Sequence, residues 1–572
     1  MNLKTIFALS VASMSLAACS VDEDAAKNTP VEETYTRDFI KTFGTINPKQ
    51  DWNVMEKKSI TVKAGVPTDV LIYEKQGNEY KLAANYKDVS GTQTITFDGM
   101  EGDNTPFIVS LNGNMVPASN GETVNYNGNS NTLLRGSLVP DEYKSWVSKS
   151  DQLTQITLSS GDKALKNFDK DSENHVNTSL VTEQDSYVEV LNAGEGTTYF
   201  PMYWNSPNVH EVGFYYYDDS SNKQILVPMF KDHEAGDIWY CPGKNDTNEF
   251  YPNEAGQTKS AYYSATTTKS GKKEWNADFY GGYTFKSYGY TVKPTKSIIC
   301  GVYVKMANNK VYYSDSELNG GKKFFATNTI TSTSGDDYTY LCFDDPSDNG
   351  GEGDKDYNDL IFYTPRKLSP VVRKDISCLV ACEDLGGTFD YDFNDIVFRV
   401  YHVSGNDYLT IVPVAAGGQL KATLLYNGKE ISEEWHQHFG DGHEYTDMIN
   451  TGGTKETEVW PIRLKGIPTD FSMTQFSTSD NGGFSIRVER AGSPVTVTGP
   501  SAGEAPQMLI LPYDWKWPVE LTNIQLTYPK FGEWGSNYTD PTWVNTITDG
   551  NYIDMKESDF KQSKEMKDVT AE

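Results

Sequence analysis

The chain has 572 residues, of which 37% are hydrophobic and 13% aromatic, with 36 Tyr and 11 Trp. That supply of apolar and aromatic side chains excludes wholesale disorder, and the length predicts about three to four domains. A formal net charge of −29 argues against nucleic acid as a partner and against electrostatic docking on anionic lipid, and it suits the binding of cations.

The first residues carry one positive charge at Lys4, an apolar run over residues 5–18 and small residues before Cys19. Those are the three parts of a secretory signal. The run is too short to span a bilayer, which takes about 20 apolar residues. Leu16-Ala17-Ala18-Cys19 resembles the bacterial lipobox, which implies a signal peptide over 1–18 and acylation, palmitate included, at Cys19. Residues 19–33 read as an acidic tether. Its Ser20-Val21-Asp22-Glu23-Asp24 resembles the surface-export signal of some Gram-negative lipoproteins. Several acyl chains hold firmly where one is marginal. The expected location is therefore the outer membrane, anchored rather than spanning and facing the extracellular side.

Tyr35, Phe39 and Phe43 recur at helical spacing, with Gly44 as a stop and Pro48 beyond, so a short amphipathic helix is expected. From Ser59 the period becomes two. Ile60 and Val62, Ile95 and Phe97, and Phe107, Val109 and Leu111 alternate with polar residues between Gly-rich turns. With the helix they make a first β module over 34–131. Residues 132–185 read as a connecting region with a short helix near 141–149. Strand patterns resume in a β domain over 186–367, at 187–191, 212–217, 298–304, 310–313 and 338–343. Its Tyr-, Gly- and Lys-rich insert at 241–286 is expected to loop over the sheet. A third β domain covers 368–560, followed by a polar tail over 561–572. No period of 20–50 residues recurs, which excludes a solenoid or propeller. The expected class is mainly β: several β-sandwich-like modules with a short N-terminal helix and acidic, calcium-binding loops.

Beyond Cys19, five cysteines remain: Cys241, Cys300, Cys342, Cys378 and Cys382. Their odd number allows at most two disulfides. Cys378 and Cys382 lie on one strand-like run about 13 Å apart, too far to bridge.

Two segments carry the same pattern. One is Asp354-Lys355-Asp356-Tyr357-Asn358-Asp359 and the other Asp390-Tyr391-Asp392-Phe393-Asn394-Asp395. Each is followed by two aliphatic residues and Phe, and preceded by a strand-like run ending in an acidic pair, Asp344-Asp345 or Glu383-Asp384. Carboxylates and an amide at alternate positions of a tight loop can bring several oxygens to one point. Calcium takes six to eight oxygens at about 2.3–2.6 Å, and so many carboxylates without a cation repel one another. Asp354, Asp356 and Asn358 match the opening of an EF-hand loop. The sixth place is then Asp359 rather than Gly, and the twelfth is Pro365 (Tyr401 in the second copy) rather than Glu. The loops are not EF-hands, and the remaining ligands are expected from the upstream acidic pairs. The candidate calcium ligands are Asp344, Asp345, Asp354, Asp356, Asn358, Asp359, Glu383, Asp384, Asp390, Asp392, Asn394 and Asp395. Polar turns that cap the backbone use the same residues, but the duplication favours calcium, in a structural role.

From Cys378 to about Tyr552 the sequence resembles the LruC-domain family of bacterial surface lipoproteins. The resemblance is carried by the Glu383-to-Asp395 loop, by Trp435 to Gly440 followed by Met448-Ile449-Asn450-Thr451-Gly452, and by Trp515-Lys516-Trp517-Pro518 with Tyr528-Pro529-Lys530-Phe531 and Trp534. The span around 338–364 resembles a related domain found upstream in such proteins. Phe39, Phe43-Gly44, Pro48 and Asp51-Trp52 resemble their N-termini. The family implies a β-rich extracytoplasmic lipoprotein and brings no established catalytic activity.

Other constellations are weaker. His436, His438 and His443 lie among Glu433, Glu434, Asp441 and Glu444, and on a strand His436 and His438 would share a face. Their spacing matches no zinc signature. Aromatic runs at 199–204 and 279–290 suit sugar stacking as well as a sandwich core. There is no Gly-x-Ser-x-Gly, P-loop or Cys-His arrangement with meaningful spacing. The expected function is non-enzymatic: a lipid-anchored surface protein whose calcium-stabilised modules bind or adhere to a glycan, host or envelope component. A polysaccharide-active enzyme and a surface-fibre subunit are the alternatives.

Overall fold

The computed structural model describes residues 30–128, 134–135, 139, 141–150, 154–158, 182–183, 187–204, 206, 208–218, 223–231, 265–267, 273–275, 283–287, 289–331, 335–347, 351, 353, 355, 357, 359–368, 371–386, 389–474, 483–490, 493–538, 540–562 and 564–571. The signal peptide, Cys19, most of the tether, Cys241, Asp354, Asp356 and Asn358 lie outside them. The fold is mainly β, with separate sheets and few helices. Among the described residues no helix is long and apolar enough to cross a membrane.

Helix α1 spans Val31–Phe43. Tyr35 and Phe39, one turn apart, are fully buried, and complete burial of such a ring contributes about 1.5–3 kcal/mol. Glu32 and Glu33 in the first turn and Lys41 in the last complement the helix dipole. Gly44, at φ 97, ends the helix by donating its N–H to the Ile40 carbonyl.

Strands β1 (Met55–Gln76) and β2 (Glu79–Met100) form one antiparallel hairpin of 22 residues a side. Gly77-Asn78 makes the turn, with Gly77 at φ 63, the left-handed geometry that two-residue hairpin loops need. Ile60 stands directly opposite Ile95. The strands run longer than the apolar alternation indicates because shifts of register between Ala64 and Thr68, Thr68 and Val70, and Ile72 and Tyr73 absorb the interruptions. Pro67, which has no N–H to give to a ladder, falls in the first of these irregular stretches.

This hairpin joins an 11-stranded sheet with strands from the far end of the chain. Beyond β1 lie Phe107–Leu111 and Asn114–Ala118. On the other side β2 pairs in parallel with β3 (Val371–Cys382), through Tyr80 with Val371 and Leu82 with Asp375. Antiparallel to β3 run β4 (Ile396–His402) and, on its opposite edge, β5 (Met508–Pro512). The sheet continues through Tyr408–Ala415 and Ile462–Lys465 to Lys567–Thr570. Residues 34–131 and 368–560 therefore share one sheet and one core. A four-stranded sheet built from Lys421–Tyr426, Lys429–Glu434, Phe484–Glu489 and Val495–Thr498 adds Leu424, Ile486 and Val497 to that core. The run 561–572 has no strand alternation of its own, yet Lys567–Thr570 pairs in parallel with Ile462–Lys465.

The middle of the chain forms a six-stranded and a seven-stranded sheet. Phe214, Tyr216 and Val302 of one sheet and Leu341, Leu360 and Phe362 of the other meet in one core, as in a β-sandwich. In the connecting region the helix is shorter than the sequence suggests: Asp141–Lys144 is helical and Val147–Lys149 is a strand. Of the insert at 241–286, most lies outside the described residues. Within the described part Ala265–Thr267 pairs with Lys273–Trp275, and Tyr283–Ser287 pairs with Thr154–Leu158. The aromatic run at 199–204 belongs to strand Thr197–Trp204, and Tyr199 and Phe200 are buried. Cys300, Cys342, Cys378 and Cys382 are buried free thiols.

Candidate metal centre

Strand β3 delivers Glu383 and Asp384 to its C-terminal end, and the loop before β4 brings Asp390, Asp392, Asn394 and Asp395 back over them. Tyr391 and Phe393 sit at φ 56 and φ 52, a conformation costing bulky residues about 1–3 kcal/mol each. Both rings are buried. Tyr391 packs against Tyr35, Phe39 and Phe43 of α1, and Phe393 against Phe531 of helix α2 (Phe531–Asn537). Those contacts offset the strain, and the alternate residues Asp390 and Asp392 converge on Glu383. The tyrosine hydroxyl also donates to Asp38 Oδ2 at 3.2 Å, so the helix next to the tether clamps the acidic loop.

Carboxylate oxygens of Glu383, Asp390 and Asp392 lie within 4.8 Å of one another. Two oxygens on opposite sides of a calcium ion stand about 4.8 Å apart. Glu383 Oε1 accepts the Phe393 N–H at 2.8 Å, and Asp392 accepts the N–H groups of Asn394 at 3.1 Å and Leu521 at 2.8 Å. Asn394 is fully buried. Its Nδ2 donates to the Pro518 carbonyl at 3.0 Å, while its Oδ1 is buried without a hydrogen-bond partner.

Glu520 joins the group. Its Oε2 is likewise buried and unpartnered. A Cβ on Gly417 would stand 2.2 Å from Asn394 Oδ1 and 2.5 Å from Glu520 Oε2, and one on Gly418 2.9 Å from Asp384 Oδ2. The Gly417-Gly418 pair therefore leaves the space that these oxygens border.

Burial first, then mutual repulsion, pushes the acids upward. Asp392 rises to about 8, by burial and by Asp390 and Glu520. Glu520 rises to about 7, by burial and by Asp390 and Asp384. Glu383 and Asp395 are driven far above the usual carboxylate range, again chiefly by burial. A divalent cation would reverse that cost by giving the ionised oxygens a common counter-charge. The donor set of several carboxylates, one amide carbonyl and no sulfur or imidazole suits a hard cation.

The first acidic loop repeats the second in its described parts. Asp345 N–H donates to Asp359 Oδ2 at 2.5 Å, as Asp384 N–H does to Asp395 Oδ2 at 2.8 Å. Asp345 Oδ1 accepts from the Ser347 N–H two residues on, as Asp384 Oδ1 does from that of Gly386. Lys355 and Tyr357 take positive φ at the places of Tyr391 and Phe393. Asp344 Oδ1 accepts the Lys355 N–H at 3.0 Å, and Gly353 leaves room for its other oxygen. The loops differ in electrostatics. Burial would raise Asp345, but Ser206, Ser347 and Asn208 donate to it and bring it below the usual range. Asp384 has fewer donors and is raised by burial.

The residues that carry the LruC resemblance gather around the second loop. Pro518 receives Asn394, Glu520 N–H donates to the Thr451 carbonyl at 2.7 Å, and Trp517 Nε1 donates to that of Asn450 at 2.7 Å. Glu520 was not legible as a candidate ligand, since 125 positions of sequence separate it from Asp395. The glycine doublet at 417–418 was the one visible signal.

The histidines do not form a second centre. His436 and His438 lie on a single 3-10 turn, Trp435–His438, rather than on a strand. His436 Nδ1 meets Glu434 at 2.8 Å, His438 Nδ1 meets the Trp460 carbonyl at 3.1 Å, and His443 lies 3.3 Å from Glu456. Each has its own neighbour.

No protein-family model matches the chain, and no curated protein matches it. Among solved structures it is similar to a crystal structure of a Bacteroides ovatus protein to which lipoprotein character is ascribed. The two are 14% identical, the match covers 41% of this chain and 93% of the other, and the TM-score is 0.21. The likeness is distant, and the chemistry of the site rests on its own geometry.

Proposed function

We propose that this chain is a non-enzymatic lipoprotein, anchored through Cys19 to the outer membrane and facing outward. Its β modules are braced by calcium and serve binding or adhesion to a glycan, host or envelope component. The observation that carries the metal reading is the convergence of Glu383, Asp390 and Asp392 with the buried, unpartnered carbonyl of Asn394. Glu520 Oε2 and Asp384 complete the donor set. The first loop, with Asp344, Asp345 and Asp359 in the same bonding pattern, is the second calcium position. The anchor rests on the Leu16-Ala17-Ala18-Cys19 motif, and the family assignment on the LruC-like residues that surround the loop.

The site brings oxygens to a point and presents no nucleophile with a paired base, which favours a structural ion over a catalytic one. Calcium here would join β3, β4, α1 and the 517–521 segment. The test is thermal unfolding of the mature chain in calcium and in chelator. A ligand at about 100 times its dissociation constant adds about 2.7 kcal/mol, so the midpoint should rise by several degrees; equal midpoints would sink the reading. Screening the same protein on a glycan panel for retention and product release separates binder from enzyme. Turnover lost on substitution of a single carboxylate would overturn the non-enzymatic assignment.

A further inference from the structure

We propose that the groove where the 11-stranded sheet meets the middle sandwich binds an anionic glycan, an oligosaccharide carrying sulfate or carboxylate groups. Two cavities, of about 570 and about 460 Å³, share Tyr513, Asp514 and Glu557 as common lining. The lining of the first also includes Lys374, Arg399, Lys516, Lys556 and Asp554, and that of the second Asn78, Glu79, Lys81 and Lys367. Together they run from the β1–β2 turn past the middle sandwich to the end of β5.

Its charge runs against that of the molecule. The chain carries 79 acidic and 50 basic side chains, yet cations outnumber acids here once the ion pairs are set aside. Lys516 pairs with Asp554 at 2.9 Å, and Lys81 with Glu557 at 3.1 Å. Lys367, Lys374, Lys556 and Arg399 remain, against Asp514 and Glu79. A cleft with an excess of one sign between low-dielectric walls concentrates ions of the other.

Arg399 is the decisive residue. It is 2% exposed, and its guanidinium donates to the carbonyls of Tyr513 at 3.1 Å and Met555 at 2.8 Å. It lies over the Phe560 ring at 5.5 Å. Glu557, Asp514 and Asp559 act on it through space, but among the described residues no carboxylate pairs with it. A buried cation with no carboxylate in direct contact is costly, and an anion entering the cavity that it lines can supply that contact. Tyr513 stands at the junction as lining common to both cavities, with Lys81 Nζ over its ring, 4.7 Å from the centroid. A sugar bearing charged substituents matches that combination. The choice of a glycan over other anions rests on the surface location proposed above; the cationic groove does not.

The test is calorimetric titration of the mature chain, in calcium and in chelator, with three probes: a heparin-derived tetrasaccharide, a hyaluronan tetrasaccharide and neutral cellotetraose. Binding of one or both charged probes, weakening with salt and absent for cellotetraose, is expected; which of the two binds names sulfate or carboxylate as the group read. Lys374→Glu with Lys556→Glu should weaken it by about tenfold or more, with an unchanged melting midpoint and an unchanged response to calcium. Equal binding of the neutral probe, no binding of either charged one, full retention in the double variant, or tighter binding of a polyglutamate peptide would each overturn the proposal. Loss of the calcium response alone would sink the metal reading and leave this one standing.

Discussion

Asn394 donates its Nδ2 to the Pro518 carbonyl at 3.0 Å, and that one bond fixes which way its amide faces. A carbonyl accepts only from the NH2 end, so Oδ1 must turn away, into the space bordered by Glu520 and the acidic loop. A residue 124 positions away thereby orients a candidate ligand. Asn394→Asp would set a carboxylate against the Pro518 carbonyl and add charge to a crowded site. It should destabilise the protein in chelator and recover part of that loss in calcium, which melting curves in the two conditions measure.

Removing a charge tests the centre from the other side. Asp392→Asn keeps the shape but can accept only one of the N–H groups of Asn394 and Leu521. Relief of repulsion offsets the lost hydrogen bond, so in chelator the stability should change by no more than about 1 kcal/mol. The rise of midpoint in calcium should largely vanish. An undiminished rise would place the ion elsewhere.

Gly417→Ala changes no ligand. Its Cβ would stand 2.2 Å from Asn394 Oδ1 and 2.5 Å from Glu520 Oε2, closer than real contacts allow, so both oxygens must move. Calcium affinity by titration calorimetry should fall about 10- to 100-fold, as for lost support of metal ligands. Wild-type affinity would show that neither oxygen contributes.

His402 supplies a pH term away from the acidic loops. It is 1% exposed, packs on Phe471 with ring centroids 5.3 Å apart, and neither ring nitrogen has a hydrogen-bond partner. Burial pulls it down to about 4 from 6.5. A depressed value in the folded state means that the stability it contributes is whole above pH 6.5 and is lost as pH falls toward 4, at most about 3 kcal/mol. Asp98 acts in the opposite sense, raised by burial to about 6, so the difference between variants isolates the histidine. His402→Phe should match wild type near neutrality within packing effects and lose less stability on acidification, read from urea midpoints across that range.

The four described cysteines should be inert. Burial pushes Cys342 up to about 12 and drives Cys300, Cys378 and Cys382 upward as well. Iodoacetamide at about pH 8 needs an exposed thiolate, so mass spectrometry should find all four unmodified in the native protein and modified after denaturation. Labelling of any of them under native conditions would contradict their burial.

Local pattern determined much of this molecule. The aromatic spacing of Tyr35, Phe39 and Phe43 followed by Gly44 defined α1, because a helix buries one stripe and needs a left-handed residue to stop. Alternation around Ile60 and Ile95 gave strands, and the duplicated Asp-x-Asp-aromatic-Asn-Asp pattern marked the acidic loops. Each of these signals lies within one element, where periodicity of 2 or 3.6 residues is written directly into the sequence.

Pairing and convergence were decided only in three dimensions. Nothing in residues 79–100 and 371–382 states that β2 and β3 lie side by side, nor that Lys567–Thr570 closes the far edge of the same sheet, because ladder hydrogen bonds are made by backbone common to every sequence. His436 and His438 share a 3-10 turn although their spacing suits a strand. Glu520, Gly417 and Gly418 reach the acidic loop from distant segments, and only the tertiary packing sets Arg399 against the carbonyls of Tyr513 and Met555 rather than in contact with a carboxylate. Sequence spacing therefore proposed oxygens able to hold a cation, and the tertiary fold decided which of them meet, since burial and electrostatic field at a site belong to everything packed around it.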